Sequence, residues 1–394
     1  MFANGRPYLA IPGPSVMPDV VLREMHRAAP NIYAGELVDI TAKSLEQLKA
    51  LAGTKHGVAI YIANGHGLWE AILSNAFSAG DHVLVPATGM FGHGWADVAA
   101  GLGLKVEVME LGMSAAVDPD VLEQRLRADT GHSIRAVLAV HTDTSTSLRS
   151  DIPALRAAID RAAHPALLLA DCMASLGCEP FHMDDWGVDL MMAGSQKGLM
   201  TPPGIGFVFV GPKAAALREK TTVSRYWDWK PRTDPEAFWQ HFFGTAPTHH
   251  IYGLHAALNL IEQEGRDAVW ARHEGLARAI WAAVEAWGTQ GAMRLNVTSP
   301  AHRSHAVTAI EIGGEDGDRL RAWCEQVGGV TLGIGLGREP ASAFFRIGHM
   351  GHVNAHMVLG ALAVIDAGLK ALDIAHGPGA VEAATGVIAR LSQA

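Results

Sequence analysis

The chain reads as an α/β protein: a mainly parallel, seven-stranded sheet flanked by helices, followed by a small C-terminal α+β domain. Between about residues 55 and 210, short β-rich runs alternate with helical stretches, the pattern of strand–helix–strand units. The runs are near-continuously apolar rather than alternating, as in strands covered on both faces. At 394 residues, with 49% apolar and 18% charged side chains, the chain exceeds one core and divides into a large and a smaller domain.

Taken in order, residues 1–20 form an N-terminal arm, 21–255 the large domain and 256–394 the small one. The predicted strands are Val58–Ala63, His82–Pro86, Lys105–Leu111, Ile134–His141, Ala166–Asp171, Val188–Ala193 and Ile205–Val210. Helices are predicted between them at Gly67–Phe77, Val121–Ala128 and Ile152–Ala163. The last of these opens with Ser150-Asp151-Ile152-Pro153, an acid in the first turn and a proline at an early position. Residues 211–250 change character: Arg225–Lys230 and Phe242–Thr245 are aromatic, with Pro and Gly between. Such a stretch either packs on its own domain or covers another subunit. A long helical pattern then runs from Ile251 to Gly288, interrupted near Gly265. The C-terminal part carries strands at Ala306–Ile312 and Phe344–Gly348 and helices at Asp318–Glu325 and Asn354–Leu372.

A formal charge of −9 without a basic cluster argues against a nucleic-acid partner. Cys172, Cys178 and Cys324 lack paired ligand spacing, and no HxxxH-type pair occurs, so no metal site is expected. Buried free thiols point to a reducing compartment. No long apolar segment marks a secretory signal at residues 1–7 or a transmembrane helix elsewhere, which makes the cytoplasm the expected location.

The chemistry gathers at the ends of the apolar runs. Gly194-Ser195-Gln196-Lys197 follows Val188–Ala193 and delivers one amine to the end of a buried strand. There its surroundings can keep it partly deprotonated and able to add to carbonyls. Ala166–Ala170 ends in Asp171. A lysine and a carboxylate at neighbouring strand ends are what a pyridoxal enzyme requires, the acid holding the pyridine nitrogen protonated so that the ring accepts electrons. Asn64-Gly65-His66-Gly67 lies between a strand and a helix, either a phosphate cradle at a helix N-terminus or an ordinary turn. His141–Ser147 is a hydroxyl-rich turn that either binds a ring oxygen or caps a helix. Arg346 stands inside the apolar strand Phe345–Gly348 with no acid near it in sequence. A substrate carboxylate would satisfy it bidentately; the alternative is a salt bridge to a distant acid.

These stretches, with Thr88–Phe91, Asp171–Gly177 and Gly194–Gly198, resemble the class V aminotransferases over most of the chain, in particular the alanine–glyoxylate and serine–glyoxylate (serine–pyruvate) enzymes. The resemblance implies the type I fold of pyridoxal enzymes and a homodimer with shared active sites, with pairing into tetramers left open. It implies pyridoxal 5′-phosphate as a Schiff base on Lys197, with Asp171 at the pyridine nitrogen and Phe91 stacked on the ring. Thr146 would contact the ring or its oxygen. Gly65, His66, Gly67 and Gln196 would bind the phosphate, joined by Thr245 from a neighbouring subunit. Arg346 would hold the substrate carboxylate, and Arg338 could reach the same site. The expected reaction moves an amino group from alanine or serine to glyoxylate or pyruvate by ping-pong transamination.

Two departures bear on substrate. Ser147 stands where many relatives have glycine, and Asn31-Ile32-Tyr33-Ala34 where the glyoxylate enzymes often carry His-Arg-Ser. Arg338 close before Arg346, and the run Arg346–Gly351, are also similar to pyridoxamine–pyruvate aminotransferase, which takes free pyridoxamine. That enzyme is the alternative reading.

Overall fold

In the computed structural model, which describes residues 2–393, the strands in chain order are β1 (Tyr8–Ala10), β2 (Gly57–Tyr61), β3 (His82–Ala87), β4 (Lys105–Glu110), β5 (Ile134–Val140), β6 (Thr142–Asp143), β7 (Leu148–Arg149), β8 (Leu167–Asp171), β9 (Leu190–Gly194), β10 (Gly206–Val210), β11 (Arg294–Leu295), β12 (Val307–Glu311), β13 (Val330–Ile334) and β14 (Phe344–Gly348). The helices of the large sheet's layers are α1 (Asp19–Met25), α2 (Glu36–Ala52), α3 (Gly65–Ala76), α4 (Met90–Gly101), α5 (Pro119–Ala128), α6 (Ile152–Arg161), α7 (Pro212–Arg218), α8 (Lys230–Thr233) and α9 (Thr248–Glu264). Then follow α10 (Arg266–Trp287), α11 (Asp316–Gly328), α12 (Ala355–Ala371) and α13 (Ala380–Leu391).

The seven-stranded sheet has the order β2-β10-β9-β8-β5-β3-β4. Its side chains obey the two-residue period of a strand. Val58, Ile60, Leu168, Ala170, Met191, Ala193, Phe207 and Phe209 point into one apolar layer with residues of α2, α6 and α9. Their neighbours Ala59, Tyr61, Leu167, Leu169, Leu190, Met192, Val208 and Val210 point into the opposite layer with α3 and α4. Both faces are covered, which is why β8, β9 and β10 are buried at every position and read as unbroken apolar runs.

One strand runs against the rest. β10 pairs antiparallel with β9 and with β2, Gly206 opposite Gly194. The link between β9 and β10 contains no crossover helix, and without one the chain can only return beside itself in the opposite sense. Lys197 lies in that link.

The second sheet, β1-β13-β14-β12-β11, collects β1 from the N-terminal segment and the other strands from the C-terminal part. Its core is a separate cluster with α10 to α13, built around Trp287, Phe345, Leu362 and Ile365. β1 pairs with β13 from Tyr8 opposite Val330 to Ala10 opposite Leu332, so the N-terminal segment is built into the second sheet. Residues 211–247 are anchored on their own chain at a few points: Tyr61 donates to Trp227 O at 2.8 Å, and the buried Arg232 donates to Ile60 O and Tyr226 O, each at 2.6 Å. No described helix is long and apolar enough to cross a membrane.

Candidate active site

The C-terminal ends of β2, β3, β5, β8 and β9 open on one edge of the large sheet, where ligands bind in this architecture. A cavity of about 250 Å³ lies there, lined among others by Gly65, His66, Trp69, Phe91, Thr142, Thr144, Asp171, Met173, Gln196 and Lys197.

Lys197 extends from the β9–β10 link, and its Nζ donates to the Pro12 carbonyl. The N-terminal segment clamps this residue from both sides. Ser15 N donates to Gln196 O at 2.9 Å and Ser15 Oγ to Lys197 O at 2.6 Å. Gly13, at φ +99°, allows the close approach, because a methyl group there would overlap the lysine side chain. The amine's pKa is lowered to about 8. Burial is the largest cause and the Arg346 guanidinium the second, so removal from water outweighs neighbouring charge.

Asp171 ends β8 and is buried. Its Oδ1 accepts Met173 N at 2.8 Å and its Oδ2 the indole N–H of Trp69 at 2.9 Å. Burial pushes its pKa up to about 6, against the opposing pull of those two donors. Between about pH 6 and about pH 8 the site holds a carboxylate and an ammonium together.

At the N-terminus of α3, Asn64 caps the helix by accepting Gly67 N at 3.3 Å. Gly65 N and His66 N have no partner among the described residues and border the cavity, which makes an anion site. Gly67 does not contribute to it: its N–H closes the cap, and a methyl group on it would sit 3.0 Å from Ala63 and 3.2 Å from Trp227. Glycine there serves packing.

Phe91 lines the cavity from the first turn of α4. Its backbone is fixed by Asp143, whose Oδ2 accepts Phe91 N at 2.9 Å and Gly92 N at 3.3 Å. Gly89 admits that carboxylate, since a Cβ on it would lie 2.6 Å from Asp143 Cγ. The turn after β5 thus positions the helix that bears the aromatic ring.

Thr146 does not line the cavity. Its hydroxyl donates to Thr88 O at 3.0 Å and accepts Leu148 N at 3.2 Å, inside the β6–β7 hairpin. The chain turns between β6 and β7, and this turns Thr142 and Thr144 to the cavity instead. Arg338 is also not at the cavity. It donates to Met113 O at 2.9 Å and Asn296 Oδ1 at 2.7 Å, and lies 4.2 Å over the Phe344 ring. Those bonds tie it into the packing behind the hairpin. Thr245 is exposed and outside its own chain's cavity.

Arg346, on β14, donates from Nε to Ile334 O and from Nη1 to Thr144 O, both at 2.7 Å. It is 6% exposed. No carboxylate among the described residues lies within 4.0 Å of it, which removes the structural salt bridge as an explanation. Burial lowers its pKa to about 10 against the weaker opposing pull of Asp143, which lies beyond ion-pair distance, and Lys197 feels its charge.

Trp69 and Met173 are not legible as site residues in the sequence, and within the hydroxyl-rich turn nothing distinguishes Thr142 and Thr144 from Thr146. Trp69 had one signal: at four residues past Gly65 it shares the face of α3 that meets the cavity. Met173 had none, being an apolar side chain after an acid. Among the described residues no group of three or more His, Cys, Asp or Glu is placed to hold a metal.

The residues present fit a pyridoxal phosphate. A lysine, a buried carboxylate, an aromatic face and free helix N–H groups border one cavity. In addition, Gln196 lines the cavity, and the end of its amide assigned as Oε1 is buried without a hydrogen-bond partner, so the amide is free to turn its N–H donors there.

Residues 8–350 match the family described as Aminotransferase class-V. The chain is 38% identical to serine–glyoxylate aminotransferase of Methylorubrum extorquens over 93% of each chain. It is 36% identical to L-aspartate–glyoxylate aminotransferase of Paracoccus denitrificans over 90% of this chain and 89% of that one. Among solved structures, pyridoxamine–pyruvate aminotransferase of Mesorhizobium loti superposes with a TM-score of 0.88 at 26% identity, over 98% of both chains. Sequence, sheet order and cavity agree, and the chain belongs to the class V aminotransferases, a pyridoxal-phosphate-dependent family.

Proposed function

We propose that the protein transfers an amino group from a small amino acid, alanine or serine, to glyoxylate or pyruvate, using pyridoxal phosphate bound covalently through Lys197. The observation that carries this reading is the meeting of an amine of lowered pKa and a buried carboxylate at one cavity, with the unpaired Arg346 bonded to the carbonyl of the cavity-lining Thr144 and its charge felt by Lys197. The glyoxylate enzymes named above support the acceptor.

The bound cofactor supplies a carbonyl to capture amino groups and a ring that takes up the electron pair of the α-carbon. Asp171 would hold a proton on the ring nitrogen through whichever lone pairs Trp69 and Met173 leave free. Phe91 would cover one face of the ring, and Met173 lies in the same cavity, excluding water. The N–H groups of Gly65 and His66, with Gln196, would hold the phosphate. Arg346 would bind the substrate carboxylate and so fix which α-substituent faces Lys197. The free Lys197 amine, neutral above about pH 8, then takes the α-proton and returns it on the other side of the reaction. The anion site at α3 favours a phosphorylated cofactor over free pyridoxamine as a substrate.

We place Thr245 at the phosphate of a neighbouring subunit in a homodimer. The three buried, unpaired cysteines favour the cytoplasm.

Borohydride treatment of protein loaded with pyridoxal phosphate should place the label on the peptide that contains Lys197. Serine or alanine with glyoxylate should yield glycine, and Lys197→Ala should yield none. Glycine formation by Lys197→Ala at the wild-type rate would overturn the reading.

A further inference from the structure

The hydrogen bond from Trp69 to Asp171 stands out among the contacts of the site. It joins α3 to the end of β8 across 102 residues of sequence, and both partners are buried, Trp69 being 2% exposed. The indole is fixed on every side. Trp95 stacks on it at 6.2 Å and 13°, the His66 ring meets it edge-on at 4.8 Å, and Phe91 lies tilted at 6.5 Å. The neighbouring Trp95 is also buried, and its Nε1 has no hydrogen-bond partner. The packing of this stack therefore tolerates an unpaired indole N–H. That Trp69 aims its own at a carboxylate is a separate feature.

Asp171 has two oxygens with one donor each, Met173 N on Oδ1 and Trp69 on Oδ2. A carboxylate offers about four acceptor positions. The two donors hold its plane and leave the remaining lone pairs free. The backbone donor comes from two residues along the same turn, so it moves with Asp171. Trp69 is the only one of the two donors that ties the carboxylate to another element.

We propose that Trp69 is a positioning residue for Asp171: its indole N–H fixes the carboxylate's orientation toward the cavity and keeps it ionised. The proposal rests on the reading of Asp171 as the group that holds the proton of the ring nitrogen.

The charged and titratable groups around Asp171 are few. Lys197, after β9, favours its ionised form, while Asp143, on β6, disfavours it. Cys172, next in the chain, is buried with its thiol pushed well up, so it carries no charge near neutral pH. Burial dominates and pushes Asp171 up to about 6, with Met173 N and Trp69 as the leading opposing influences. Without Trp69's donation, burial is opposed by one donor fewer. The carboxyl then keeps its proton to higher pH and cannot take part as an anion.

The test is the affinity of the apo-protein for pyridoxal phosphate, measured by equilibrium dialysis from pH 6 to pH 9, with Trp69→Phe and Trp95→Phe compared to wild type. Wild type and Trp95→Phe should give superposable pH profiles, both carrying the titration of Lys197 near pH 8. Trp69→Phe should match them near pH 9 and lose affinity as pH falls, by about tenfold for each unit that the carboxyl's pKa has risen. Trp69→His, which keeps a ring N–H, should restore part of the wild-type profile. Affinity in Trp69→Phe that is unchanged, or lowered equally at every pH, overturns the positioning role and leaves a packing role only. Wild-type protein that fails to bind the cofactor would instead overturn the parent reading of the site. Should Trp69→Phe not fold, the indole ¹⁵N resonances of wild type decide. One must titrate near pH 6 in the apo-protein and lose that titration in Asp171→Asn; if none does, the proposal falls.

Discussion

At the scale of single residues, the site keeps charges where a protein built only for stability would not. Lys197 has its pKa lowered to about 8 from 10.5, and Asp171 has its raised to about 6 from 3.8. The sign for the lysine follows from linkage. A folded pKa below the unfolded one means that the folded apo-protein is penalised where the amine is charged in both states, below about pH 8. The penalty shrinks as pH rises and vanishes above the unfolded value. Lys197→Met keeps the alkyl volume and removes the charge, so it should stabilise the apo-protein at pH 7. After allowance for the lost bond to Pro12, we expect about 1–2 kcal/mol, read from chemical denaturation. The gain should fade between pH 8 and pH 10; a constant gain would refute a charge origin. Arg346 permits a second expectation. Arg346→Lys keeps the charge but not the planar fork, so kcat/KM for the amino acid should fall by about 10–100-fold, mostly through KM, with cofactor binding intact. An unchanged KM would exclude Arg346 as the carboxylate holder.

At the scale of elements, the hairpin β6–β7 does more than its hydroxyls announced. Asp143 accepts the N-terminal N–H groups of α4, Thr144 O takes Arg346, and Thr146 O takes Asn296 Nδ2 at 2.8 Å. Its tightest point is Ser147, at φ +61°, a left-handed conformation that costs an L-residue about 1 kcal/mol or more. This is the position where many relatives were expected to have glycine. Ser147→Gly should therefore be neutral to stabilising, by up to about 1 kcal/mol, since relief of strain is partly offset by the greater freedom of glycine in the unfolded chain. Thermal unfolding reads it, and a marked loss of stability would show that the serine side chain matters more than its backbone. The strands of the large sheet were legible because burial on both faces forces continuous apolar runs. α2 and α4 were not assigned, nor was β13. α4 is rich in glycine within Met90–Gly101, and its start is set by Asp143, which lies 52 residues along the chain from the Phe91 N–H it accepts. β13 contains Gly333 beside polar Thr331, a weak strand by composition that pairing with β1 and β14 holds in place.

At the scale of the whole molecule, the proposed homodimer has a testable consequence for the site. Thr245 is exposed beside the partly buried aromatic segment Phe238–Phe243. If it completes a neighbour's phosphate site, Thr245→Glu and Lys197→Ala should each be nearly inactive, yet a refolded mixture should recover roughly a quarter of wild-type activity, from the one intact site in each mixed dimer. No recovery would exclude sharing through Thr245. By itself the sequence determined the α/β architecture, the lysine and the acid at neighbouring strand ends, and an arginine without a local partner. Those features depend on strand periodicity and on residue chemistry that a one-dimensional reading preserves. Only the tertiary structure decided that Arg346 has no carboxylate within 4.0 Å among the described residues, that Thr142 and Thr144 rather than Thr146 face the cavity, and that Trp69 reaches Asp171. Each of these depends on where side chains far apart in sequence point once the chain has turned, and no local pattern encodes that direction.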